Sequence, residues 1–305
     1  MSLDAENVTF AGSDLVFHNT YGDGVTEAYR NAVIQAENEL QSHFSDAITI
    51  NMQFNFEPTS DQFNAENSYY VTGATYQDFV AALAKHATTA DDKAAVAALP
   101  TVDPSHGVGF WIPQAQARLL GLSTEVKPFD AQVTLNSHQA VVFGADTVST
   151  LVHEISEGAF GRVASLGVGL QGWQGMDLFR FDANGQRDYT GGADGQTTYF
   201  GVDGQHLSTL SFHNSVNADG SGDGNALADW DSTADAFGPG APGIVGQLSA
   251  TDLQELDVLG WTPTVQPVIA VAPPAPAVPT VVVDLHDIAA ALHANNIWGN
   301  GWVDL

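Results

Sequence analysis

Residues 145–166 constrain this chain more than any other stretch. Val148, Leu151, Val152, Ile155 and Ala159 recur at three- and four-residue intervals. The segment therefore predicts a helix with one apolar face that must be buried. On that helix His153 and Glu157 are four residues apart and share a face. Two donors so placed can hold one zinc ion. Glu154 stands beside the first, where H-E-x-x-H enzymes carry the general base for a metal-bound water. In this chain the second histidine is replaced by Glu157. A carboxylate is an acceptable zinc ligand, but it lowers the positive charge felt at the metal. Spacing alone would equally describe a solvated polar helix face, so the surroundings matter. The opposite face is apolar, which makes this a core helix presenting the trio to one side.

The rest of the chain reads as mixed α and β. An amphipathic helix is predicted over 25–43, with Tyr29, Val33, Ala36 and Leu40 on one face. Residues 48–56 alternate apolar and polar, the clearest strand pattern in the chain. Helices are predicted over 76–86, 90–99, 114–122 and 250–259, and strands over 107–113 and 132–136. Segments 198–202 and 206–212 flank Asp203-Gly204, a hairpin signal. Six of the 13 prolines lie in 262–280, which predicts an extended linker. Beyond it, 284–295 is apolar at helical spacing. The expected organisation is a main domain over 1–261, a Pro/Val/Ala-rich linker over 262–280 and a tail helix in 281–305.

In order along the chain, several segments resemble secreted bacterial metalloproteases of the metzincin-like type. Their zinc helix reads H-E-I-S/T-E or H-E-I-G-H, and here it reads His153-Glu-Ile-Ser-Glu157 and runs on to Gly161-Arg162. Asp177-Leu-Phe-Arg-Phe181, Tyr199-Phe-Gly-Val-Asp-Gly204, Asp229-Trp230 and the closing 248–261 segment ending Gly260-Trp261 are similar to later elements of that family. The resemblance covers roughly 25–261. It implies an α+β fold with a mixed sheet, a long active-site helix with helices on one side of the sheet, and a loop-rich C-terminal half. It also implies a zinc-dependent endopeptidase acting on protein or peptide substrates, with His153 and Glu157 as ligands and Glu154 as base.

The chain departs from the family where a third histidine is expected, near Ala164. A methionine turn is also missing, the only methionines being Met1, Met52 and Met176. The third ligand must come from farther away. His213 suits zinc chemically, because imidazole is a preferred donor. Asp229 occupies the place of the histidine in the family's S-H-W element. His206, at the hairpin, is a weaker option. Arg162 or Arg180 is expected to pair with the site's carboxylates.

Other signals carry less. Residues 217–225 place oxygen-bearing side chains at alternate positions, as calcium loops do, but Ala228 stands where an EF-hand needs its bidentate glutamate. Gly167 to Gly172 fits G-x-G-x-x-G, yet it follows a helix rather than a strand, so the nucleotide reading fails. Trp173, Phe179 and Phe181 could line a cleft, although core packing is the commoner fate of aromatics.

Charge narrows the partners. The chain has 36 acidic and 8 basic residues, a formal charge of −28, and no lysine or arginine after Arg187. This opposes binding to nucleic acid or to an anionic membrane, and favours cations. With no cysteine, disulfides and thiolate metal sites are excluded. The tail, ending WGNGWVDL, looks like an uncleaved export signal of type I secretion. That makes an extracellular location the expectation; the alternative for the tail is a docking helix. A catalytically degenerate exoprotein on the same scaffold, with a binding or calcium-holding role, is the second functional expectation.

Overall fold

The structure is a computed structural model. It describes residues 3–59, 64–139, 141–167, 172–192, 195–213, 226–240 and 244–264. The described residues up to Thr264 belong to one compact unit. The expected linker beyond 264, the tail helix, most of the G-x-G-x-x-G segment and the 217–225 loop lie outside the described residues.

The chain begins with β1 (Glu6–Thr9), β2 (Val16–Tyr21), α1 (Glu27–His43), β3 (Thr49–Glu57), β4 (Ala65–Tyr69) and β5 (Val71–Ala74). Next come α2 (Tyr76–His86), α3 (Ala90–Ala98), β6 (Phe110–Pro113), α4 (Gln114–Leu119), β7 (Ala131–Asn136) and α5 (Ala145–Gly158). A 3₁₀ turn, Gly175–Phe179, leads into β8 (Arg180–Phe181), β9 (Tyr199–Asp203), β10 (His206–Ser211) and α6 (Ala250–Val258). This is an α+β fold. Its main sheet runs β1-β2-β3-β7-β4, with β2, β3 and β7 parallel and the two edge strands antiparallel.

Helix α1 forms where the sequence predicts it. Thr26 caps it by accepting from the Tyr29 N–H, and Tyr29, Val33, Ala36 and Leu40 are buried along one face. It packs against α5, which in turn packs on β4 and β7. Gly158 permits that contact. A Cβ added there would stand 2.9 Å from the Cβ of Ala131 on β7 and 3.9 Å from the Cβ of Asn67 on β4. Helix α5 is shorter than the predicted 145–166. It ends at Gly158, and Gly161 takes φ +83, a left-handed turn that places Gln116 Oε1 where a side chain would go.

The segment after α5 is core. Trp173, Phe179 and Phe181 are all buried, so they pack the interior and do not line a cleft. The C-terminal part of the unit is anchored by two indoles. Trp261 lies 4.2 Å from the ring of Phe160 and donates to its carbonyl at 2.8 Å. Trp230 stacks on Phe212 and donates to Asp252 Oδ1 at 2.7 Å. Helix α6 carries a capping box between Ser249 and Asp252. It borders an open surface cavity of about 380 Å³, whose lining includes Asp91, Gln254, Asp257 and Pro263.

Candidate metal centre

Helix α5 carries His153, Glu154 and Glu157, with both glutamates in reach of Asn67 on β4. The third group arrives from the C-terminal half. Asp229 is fixed by its neighbours: its N–H donates to Ala226 O at 3.2 Å, its carbonyl accepts from His213 N–H at 2.6 Å, and the next residue is the buried Trp230. Its carboxylate meets the α5 pair. Each of His153, Glu157 and Asp229 offers one ligand atom, and these atoms all lie within 4.8 Å of one another. Among the described residues this is the one such group of three or more.

The spacing suits a small tetrahedral ion. Zinc with nitrogen and oxygen donors at its usual bond lengths has donor–donor edges of about 3.3–3.5 Å. His153 Nε2 stands 3.5 Å from Glu157 Oε1 and 3.4 Å from Asp229 Oδ1. The other ring nitrogen is committed: Nδ1 lies 3.1 Å from Ala236 O. A carbonyl only accepts, so Nδ1 carries a proton, and Nε2 is the nitrogen that would face a metal once its own proton is displaced. This outer contact is the usual way a ligating histidine is oriented. The side chains of His153, Glu157 and Asp229 keep 14%, 11% and 8% exposure, so the cluster is enclosed but not sealed from solvent.

Two residues that the sequence reading leaves without a fixed role complete the surroundings. Asn67, on edge strand β4, donates from Nδ2 to Glu154 Oε2 at 2.7 Å and to Glu157 Oε2 at 2.5 Å. Nothing in the local sequence marks it, because its role exists only once β4 pairs with β7 beside α5. Arg162, expected to pair with the carboxylates, does so from a fully buried position. Its Nη2 lies 3.2 Å from Glu157 Oε1 and its Nη1 3.1 Å from Asp229 Oδ1.

These charges shift the titrations. Burial alone would lower His153, but the carboxylates of Asp229 and Glu157 outweigh it and push the imidazole up to about 9. Burial raises Glu157, yet His153 and Arg162 overcome that and hold it down to about 2. Glu154 lacks such cations in contact. Burial and then the charge of Glu157 push it up to about 7, in the range suited to a proton acceptor near neutrality.

No protein family, curated protein or solved structure matches this chain. The site is therefore read on its own geometry. The other candidate residues lie elsewhere. The imidazole of His213 faces Asp231, Nδ1 to Oδ1 3.8 Å, and is not in the cluster. His206 is exposed on β10 and pairs with Asp203 at 2.9 Å. Arg180 donates to Leu227 O and lies over the ring of Phe212, away from the three donors. Of the two distal candidates for a third ligand, the fold brings Asp229 to the α5 pair.

Proposed function

We propose that this protein is a secreted zinc-dependent endopeptidase, with the ion held by His153, Glu157 and Asp229. The single observation carrying this reading is the convergence of three donors within 4.8 Å of one another, with both carboxylates at tetrahedral-edge distance from a histidine oriented by a backbone carbonyl. Zinc so held would polarise a substrate carbonyl and activate water for hydrolysis. The chain's residues supply the rest. Glu154 accepts the proton, its carboxyl poised near neutrality by burial. Asn67 holds one oxygen of Glu154 and so aims the other. Gly158 allows α5 to sit close enough to β4 for Asn67 to reach both glutamates. The substrate class is protein or peptide, and type I export machinery is the partner that the tail composition suggests. No described helix is long and apolar enough to cross a membrane.

A second reading is favoured by Arg162. Its charge, with that of a protonated His153, offsets Glu157 and Asp229 without any metal. That arrangement suits a catalytically degenerate scaffold with a binding role. Calcium in this cluster is disfavoured, because calcium takes oxygen ligands and the imidazole would supply nitrogen. A looser calcium site in 217–225 remains part of this second reading.

Metal analysis of protein purified without chelator separates the two. Stoichiometric zinc that is lost in His153→Ala supports the peptidase, and calcium alone supports the second reading. Casein hydrolysis that survives Glu154→Gln would refute the assigned base.

A further inference from the structure

Two carboxylates and one neutral imidazole give the donor set a charge of minus two. Catalytic zinc sites built from two histidines and one glutamate carry minus one. The extra negative charge would blunt the metal's ability to polarise what it binds. The compensating charge is already in place. Arg162 is fully buried, and two of its three guanidinium nitrogens donate hydrogen bonds. Nε donates to Ser156 Oγ at 2.9 Å, Nη1 donates to Ala228 O at 3.0 Å and to Asp229 Oδ1 at 3.1 Å, and Phe237 lies against its face at 4.5 Å. The oxygens it approaches, Glu157 Oε1 and Asp229 Oδ1, are the same two that face His153 Nε2. A buried cation is retained only when paired, and here its partners are both anionic ligands.

We propose that Arg162 is a charge-setting positioning residue: it returns one positive charge to the His153/Glu157/Asp229 set, so that the assembly acts on zinc like a set with a single carboxylate. Glu255, fully buried in α6, also lies in the field of Arg162, and burial holds its carboxyl well above the ordinary range against that pull. This inference rests on the zinc reading of the site.

The test uses the full-length protein and Zn²⁺ itself, its affinity read by competition with a chromophoric chelator. Arg162→Gln keeps hydrogen-bonding capacity and loses the charge; Arg162→Met loses both and is the second neutral variant. Arg162→Lys keeps the charge but not the planar fork. Removing one positive charge a ligand's width from a divalent ion tightens binding by about tenfold or more, even with water-like screening. We expect either neutral variant that folds, judged by circular dichroism, to bind zinc more tightly than wild type, with lower turnover. Lysine should restore wild-type affinity to within about threefold. A merely structural role would weaken binding in all three. Neutral variants that bind no tighter than wild type, or a lysine variant that tightens as they do, overturn the inference alone. A wild-type protein that binds no zinc overturns the reading of the site as well.

Discussion

Replacing Asp257 by asparagine should make the protein more stable above pH 7 and leave it unchanged near pH 4. Asp257 sits at the end of α6, 95% removed from solvent (5% exposed), with Thr89 Oγ1 donating to its Oδ2 at 2.8 Å and no hydrogen-bond partner at Oδ1. Burial first, and then the negative charge of Asp92, push its carboxyl up to about 7. An unfolded aspartate titrates near 4. The folded state therefore holds a proton that the unfolded state has released. Stability from this group is fully present below about pH 4 and is lost as the pH rises through about 7. A three-unit difference at roughly 1.4 kcal/mol per unit gives an upper figure of about 4 kcal/mol. Asp257 also lines the open cavity beside Asp91, where solvent screens the charge, so about 2 kcal/mol is the working value. Asparagine mimics the protonated acid, keeps the acceptor for Thr89 and carries no charge. Urea unfolding of both proteins at pH 4 and pH 8 reads the difference directly, and the effects of the large net charge largely cancel between them. A stability difference that is the same at both pH values would refute the reasoning, because it would show that Asp257 titrates no differently in the folded and unfolded chains.

Other perturbations test the frame around the site. Gly158→Ala should destabilise by about 1–2 kcal/mol in thermal unfolding, since the overlap with Ala131 outweighs the better helix propensity of alanine. Trp261→Phe keeps the ring against Phe160 but strands the carbonyl that the indole satisfies, at a cost of about 1–2 kcal/mol in urea unfolding. Under the peptidase reading, Asn67→Leu should leave zinc bound while kcat falls by about 10- to 100-fold, as loss of an outer contact to a catalytic group typically does. A variant whose loss lies wholly in zinc content would assign Asn67 to Glu157 alone.

Much of the fold was legible because its longest elements are amphipathic. Helix α1, strand β3 and the first part of α5 bury one face, and burial writes a period into the sequence. Strand β4 left no such mark. Its burial alternates weakly, Ala65 inward and Glu66 outward, and it is held by pairing with β7 rather than by its own pattern. The overrun of α5 past Gly158 has a similar cause: Val163 and Ala164 continue the apolar content, while the turn at Gly161 depends on Gln116, 45 positions away in sequence (161 − 116). At the site, the i and i+4 pair could be read from spacing alone. The choice between His213 and Asp229 could not. The two residues are joined across the backbone, His213 N–H to Asp229 O, and only the direction of each side chain separates them.

The distance of Asp229 from α5 along the chain has a consequence for timing. Two donors are present as soon as α5 forms, but the third comes with the Trp230 anchor, which bonds to Asp252 on the closing helix. A chain caught before that helix docks has an incomplete cradle for the ion. Under the peptidase reading, cutting power would then depend on that helix being docked. Copies in which it has not docked would be spared from digesting one another.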